Sequence, residues 1–96
     1  MEMLEEFRIR GAVWRTEFVS SLPKEGDKDV LGFCDYARHT VYLVRLPSRA
    51  ATYQVWLHEV AHAQHPGWED PVIDEVAVAN FAFMSENGLS LVRSKG

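Results

Sequence analysis

Three side chains in one short stretch could do chemistry together: His58, Glu59 and His62, within Trp56-Leu57-His58-Glu59-Val60-Ala61-His62. Residues four apart on a helix lie one turn above each other, so the two histidines can aim imidazole nitrogens at a single ion. That geometry suits tetrahedral zinc. Glu59 projects from the neighbouring part of the same face, near enough to reach a water on the metal without ligating it. Its expected role is general base.

A catalytic zinc site takes three protein ligands and keeps one position open. The expected third ligand is Glu75, which follows the Pro66-Gly67 turn on a segment able to fold back across the first helix. Zinc would also neutralise the charge of a carboxylate buried there. Asp74 is the alternative, with Glu75 then complementing the helix dipole; His65 and Asp70 are further candidates. Cys34 could ligate as a thiolate, but a lone cysteine reads first as a small buried hydrophobe. Asp35, Asp70 and Asp74 are candidates for orienting the imidazoles. Tyr36, His39, Tyr42, Tyr53 and His65 are possible donors to a developing oxyanion, each with a competing role in packing.

These residues need elements to hold them. Residues 8–19 are rich in β-branched and aromatic types and read as one strand, followed by a loop over 20–29 that collects Ser, Pro, Gly and charge. Two short β-like runs, 30–35 and 40–45, flank Tyr36-Ala37-Arg38-His39 and predict an antiparallel hairpin. The second of these runs is expected to lie beside the cleft and pair with an extended substrate. Pro47-Ser48 ends it, and Ser48 can cap a helix over 49–64. On that helix Tyr53, Trp56, Leu57, Val60 and Ala61 form an anchoring stripe, while Ala51, Val55, His58 and His62, with His65 as a further candidate, face a cleft. A second helix is expected to begin with Asp70 as N-cap and Pro71 at its first position, and to end near Asn87-Gly88. Its interior, 72–84, is apolar nearly all round and is expected to be buried. Residues 89–96 read as an extended tail or added strand.

The chain has 96 residues, 47% of them hydrophobic, which predicts a single domain over 1–96 with one modest core. A formal charge of -4 without a dense Lys/Arg cluster argues against direct binding to nucleic acid. One cysteine excludes an internal disulfide and a Cys-rich zinc site. The acidic start lacks the pattern of a secretory signal, and no apolar run is long enough to cross a bilayer. The expectation is a soluble, cytoplasmic protein.

His58-Glu59-Val60-Ala61-His62 with His65-Pro66, and then Asp74-Glu75-Val76-Ala77-Val78-Ala79-Asn80-Phe81-Ala82, resembles the core of the ImmA/IrrE family of zinc metallopeptidases. Arg10-Gly11-Ala12-Val13-Trp14, Leu31-Gly32-Phe33-Cys34-Asp35 and Thr40-Val41-Tyr42-Leu43 are similar to that family's glycine-marked strands. The resemblance spans roughly residues 9–84, and only the H-E-x-x-H element is sharply specific. It implies zinc held by His58, His62 and Glu75, with Glu59 as the catalytic acid/base. The implied fold is α+β, a minimal gluzincin-like zincin: a small antiparallel or mixed sheet packed on the H-E-x-x-H helix and a second, C-terminal helix. The chain departs from the family's Glu-Ala-Asn-x-Phe-Ala segment. Aligned on the asparagine, Val78 takes the ligand position; aligned on the acid, Glu75 does. It also lacks the long N-terminal helix or DNA-binding domain of many relatives.

The function expected from this resemblance is a bacterial or phage-encoded zinc metalloendopeptidase that cuts a specific regulatory protein, such as a repressor. Glu59 would act as general base towards a zinc-bound water. The competing expectation is a non-cleaving zinc-fold module, or anti-repressor, that sequesters a partner protein.

Overall fold

A computed structural model describes residues 3–89. Its architecture is α+β: a four-stranded mixed sheet with two helices stacked on one side. The segment expected to be one strand is two, β1 (Glu6–Ile9) and β2 (Ala12–Val19), paired antiparallel with Phe7 opposite Trp14 and Ile9 opposite Ala12. Arg10 and Gly11 both take positive φ, 51° and 81°, the backbone of a tight two-residue hairpin turn. The turn brings Phe7 and Trp14 to the same face, where both are buried.

The loop after β2 leads to β3 (Gly32–Asp35) and β4 (Thr40–Val44), the antiparallel hairpin that the sequence predicts. Asp35 closes its turn by accepting hydrogen bonds from the amides of Ala37 and Arg38 at 3.0 and 3.1 Å. β4 then runs parallel to β2, with Thr16 opposite Val41 and Phe18 opposite Leu43, giving the order β1-β2-β4-β3. β4 is therefore an inner strand, its backbone groups committed on both sides. It cannot pair with a substrate as expected; the edge belongs to β3.

Helix α1 (Arg49–Gln64) has the predicted bounds, and Ser48 Oγ accepts from the amide of Ala51 at 3.2 Å. Its anchoring stripe divides. Tyr53, Trp56 and Ala61 are buried, whereas Leu57 and Val60 remain partly exposed. Trp56 joins the sheet to the helix: its ring meets Phe7 edge-on at 5.8 Å and its indole N–H donates to Thr16 Oγ1 at 2.8 Å. With Val41 and Leu43, both fully buried, these side chains form the core between sheet and helix.

Helix α2 (Asp70–Glu86) is capped by Glu69, whose side chain makes no capping bond. The helix thus starts one residue earlier than expected. Asp70 is inside it, Pro71 still falls in the tolerant first turn, and the Asp70 carboxylate is released from capping. At the other end Gly88 takes a φ of 63° and the amide of Leu89 donates to the carbonyl of Met84 at 2.8 Å, the left-handed ending that Asn87-Gly88 predicts.

The expectation that α2 is buried does not hold. It rests chiefly on α1, as a third layer beyond the sheet, so only the side facing α1 is covered. Ile73 and Ala77 are buried there, and Val72, Val78 and Phe83 are exposed. Of the tail expected over 89–96, residues 90–96 lie outside the described residues. No helix among the described residues is long and apolar enough to cross a membrane.

Candidate metal centre

On α1 the His58 and His62 rings sit one turn apart, 4.9 Å between centroids. α2 runs back along α1 and presents two acids at the same spacing. Asp74 Oδ1 lies 2.7 Å from His58 Nδ1, and Asp70 Oδ1 lies 2.8 Å from His62 Nε2. A step of one turn down α1 is matched by a step of one turn up α2. Both carboxylates are largely exposed while the imidazoles are half-buried, so the cluster lies at a solvent-facing mouth.

His58, His62 and Asp70 each offer a ligand atom within 4.8 Å of the others, so the group could hold a metal ion. Two imidazoles and one carboxylate suit zinc, at three ligands with room for a fourth. Asp74 occupies His58 Nδ1, which leaves Nε2 on the side of Glu59, 4.0 Å from its Oε2. A carboxylate on the far nitrogen of a metal-binding histidine fixes tautomer and ring orientation. Asp74 is placed for that orienting role.

Glu59 is 8% exposed, turned from α1 towards β3. Burial, followed by the charges of Asp70 and Asp74, pushes its carboxyl up to about 7. A carboxyl poised there can take and return a proton near neutral pH. Its position depends on Gly32: a Cβ at that residue would fall 2.7 Å from Val55 Cγ1 and 2.9 Å from Glu59 Cγ. Only glycine lets β3 pass this close. Beside them opens a cleft of about 370 Å³, with Leu31, Val55 and Val78 among its apolar walls and Gln54 and Asp74 among its polar ones.

Glu75, the expected third ligand, is exposed and stands outside the His58–His62–Asp70 group. It sits about 100° around α2 from Asp74, whereas Asp70 and Asp74, four apart, share the face towards α1. Val78, the ligand position of the asparagine-based register, does line the cleft, one turn beyond Asp74 on the same face. The remaining candidates separate by contact. His65 stacks on Trp68 at 3.7 Å, and His39 on Trp14 at 4.8 Å. Tyr53 is fully buried with its hydroxyl directed at Met84 Sδ, Tyr42 packs on Phe33, and Asp35 holds the hairpin turn. Tyr36 reaches the turn that carries His62, its hydroxyl donating to the His62 carbonyl at 2.9 Å. Burial, followed by the charge of Glu59, pushes the Cys34 thiol up to about 12, and Cys34 stands outside the His58–His62–Asp70 group.

No family model, curated protein or solved structure matches this chain.

Asp70 was among the sequence candidates for ligand and for orienting the imidazoles, but its pairing with His62 was not foreseen, nor was the approach of Gly32 to Glu59. The pairing of Asp70 with His62 was signalled by the equal spacing of Asp70/Asp74 and His58/His62. The close passage of Gly32 carried no signal beyond the glycine itself.

Proposed function

We propose that this protein is a zinc-dependent peptidase with a minimal zincin-like site. The observation that carries the proposal is the convergence of His58, His62 and Asp70 beside the buried Glu59. Zinc held by those three residues would lower the pKa of a coordinated water towards about 7 and polarise a peptide carbonyl. Glu59 takes the proton from the attacking water and passes it to the leaving amine. Asp74 holds the His58 ring in one tautomer, and Gly32 admits Glu59 to its place. β3, the free edge of the sheet beside the cleft, offers main-chain hydrogen bonds to an extended peptide, while Leu31, Val55 and Val78 receive its apolar side chains. A protein substrate of regulatory type is the partner this reading shares with the ImmA/IrrE resemblance.

The exposed face of α2 favours a second reading, a zinc-bearing module that binds a partner without cutting it. One experiment separates the two. Zinc-loaded protein and Glu59→Gln are incubated with a mixed peptide library, and new termini are read by mass spectrometry. The peptidase reading predicts cleavage by the native protein and none by the variant, with zinc retained in both. Cleavage that survives Glu59→Gln, or its absence from both, contradicts it.

A further inference from the structure

α2 is apolar on two faces, and α1 covers one of them. On the other, Val72, Val76, Ala79 and Phe83 recur at spacings of four, three and four, forming one stripe about 16 Å long. Val72 and Phe83 are 46% and 61% exposed. At its Phe83 end the stripe opens onto an apolar groove of about 330 Å³ between α2, α1 and β1, walled in part by Leu4, Leu57 and Val60. A helix apolar on both sides is the signature of one that lies between two layers, and among the described residues no outer layer covers it.

Charge indicates what covers it. Residues 50–89 contain six carboxylates, Glu59, Glu69, Asp70, Asp74, Glu75 and Glu86, and no Lys or Arg. Glu75 and Glu86 border the stripe on one side. A second copy is a poor occupant. Antiparallel pairing that sets Val72 against Phe83 brings Glu86 towards Glu69, and parallel pairing sets Glu75 against Glu75. Along α2 neither arrangement supplies a cation, Arg8 of β1 lying at the groove and not on the helix, and like charges across an interface cost affinity. An anionic membrane or nucleic acid is repelled for the same reason.

We infer that this face is a docking surface for a basic amphipathic helix of another protein, one with an apolar stripe of matching length and Lys or Arg along its flanks. The mode is that of a helix laid on an apolar strip, with charge setting partner choice. The inference uses no metal-binding residue and stands or falls apart from the peptidase reading.

The test uses the full chain and a fluorescent helical peptide of about 16 residues built from Leu and Lys in amphipathic order, with a Leu/Glu peptide of the same pattern as control. Fluorescence anisotropy should show saturable binding of the Lys peptide, at least about tenfold tighter than the Glu peptide and weakened by salt. Phe83→Ser and Val72→Ser, both at exposed positions and checked for folding by circular dichroism, should each weaken it by about tenfold or more. Glu75→Lys with Glu86→Lys should reverse the preference between the peptides. Equal binding of both peptides, or affinity untouched by Phe83→Ser, overturns the proposal. So does concentration-dependent dimerisation that Phe83→Ser abolishes, which would make the occupant a second copy. A rise in affinity on reversing Arg93 and Lys95 to Glu would assign the face to the chain's own residues 90–96, and overturns it equally.

Discussion

Gly32 passes so near Glu59 that a methyl group at position 32 would lie 2.9 Å from Glu59 Cγ and 3.1 Å from its Oε2. The edge strand and the proposed base are thus positioned by one contact. Gly32→Ala forces either β3 or the Glu59 side chain to move, at an overpacking cost of about 1–3 kcal/mol. Peptide hydrolysis should fall by at least about tenfold while zinc binding is kept, because the atoms nearest the added methyl belong to Val55 and Glu59 and not to a ligand. Parallel measurements of zinc content and cleavage rate check this; wild-type rates in the variant would detach Gly32 from the site.

Asp74 touches His58 through the nitrogen turned away from Glu59. Asp74→Asn keeps the shape and removes the charge that fixes the ring, so zinc affinity should drop by about 10- to 100-fold. Competition with a zinc chelator measures it. Unchanged affinity would mean that the 2.7 Å contact is a surface pairing only.

Burial raises the Glu59 carboxyl from 4.5 to about 7 in the folded chain. Between those values the native state binds more protons than the unfolded one, so stability is lost as pH rises through this window. The contribution is full below about pH 4 and gone above about pH 7, an upper bound of about 3 kcal/mol. Metal-free Glu59→Gln should therefore lose less stability than the metal-free native protein between pH 5 and pH 8, by about 2–3 kcal/mol. Urea melts of both proteins at the two pH values test the sign directly. A native protein that gains stability over that interval relative to the variant would contradict the burial of Glu59.

Cys34 is buried with its thiol pushed up to about 12. At pH 8 iodoacetamide should modify it roughly a thousandfold more slowly in the folded protein than in urea. Mass spectrometry of timed samples gives the ratio, and comparable rates would place the thiol at the surface.

What was legible in the sequence was local. Ser48 and Pro47 announced the start of α1, Tyr36-Ala37-Arg38-His39 announced the β3–β4 turn, and Gly88 announced the end of α2. The β1–β2 turn was hidden because Arg10, a residue that rarely takes positive φ, supplies half of it within a run of strand-forming side chains. At the site, His58, Glu59 and His62 could be read from spacing alone, since one helix carries all three. The third acid could not, because it depends on how α2 is rotated against α1. The start of α2 at Asp70 frees that carboxylate from capping, and the rotation of α2 against α1 leaves Glu75 exposed. The depth of α2 was misread for a related reason: an apolar pattern states that a surface needs covering, and among the described residues α2 rests chiefly on α1.

In the proposed site His58, His62 and Asp70 bind one zinc together. Calorimetric zinc titration of the native protein, Asp70→Ala and Glu75→Ala tests it most directly. One zinc per chain in the native protein and in Glu75→Ala, with affinity lost by about 100-fold or more in Asp70→Ala, is the predicted result. Retained affinity in Asp70→Ala together with its loss in Glu75→Ala, or no zinc binding by the native protein, would contradict it.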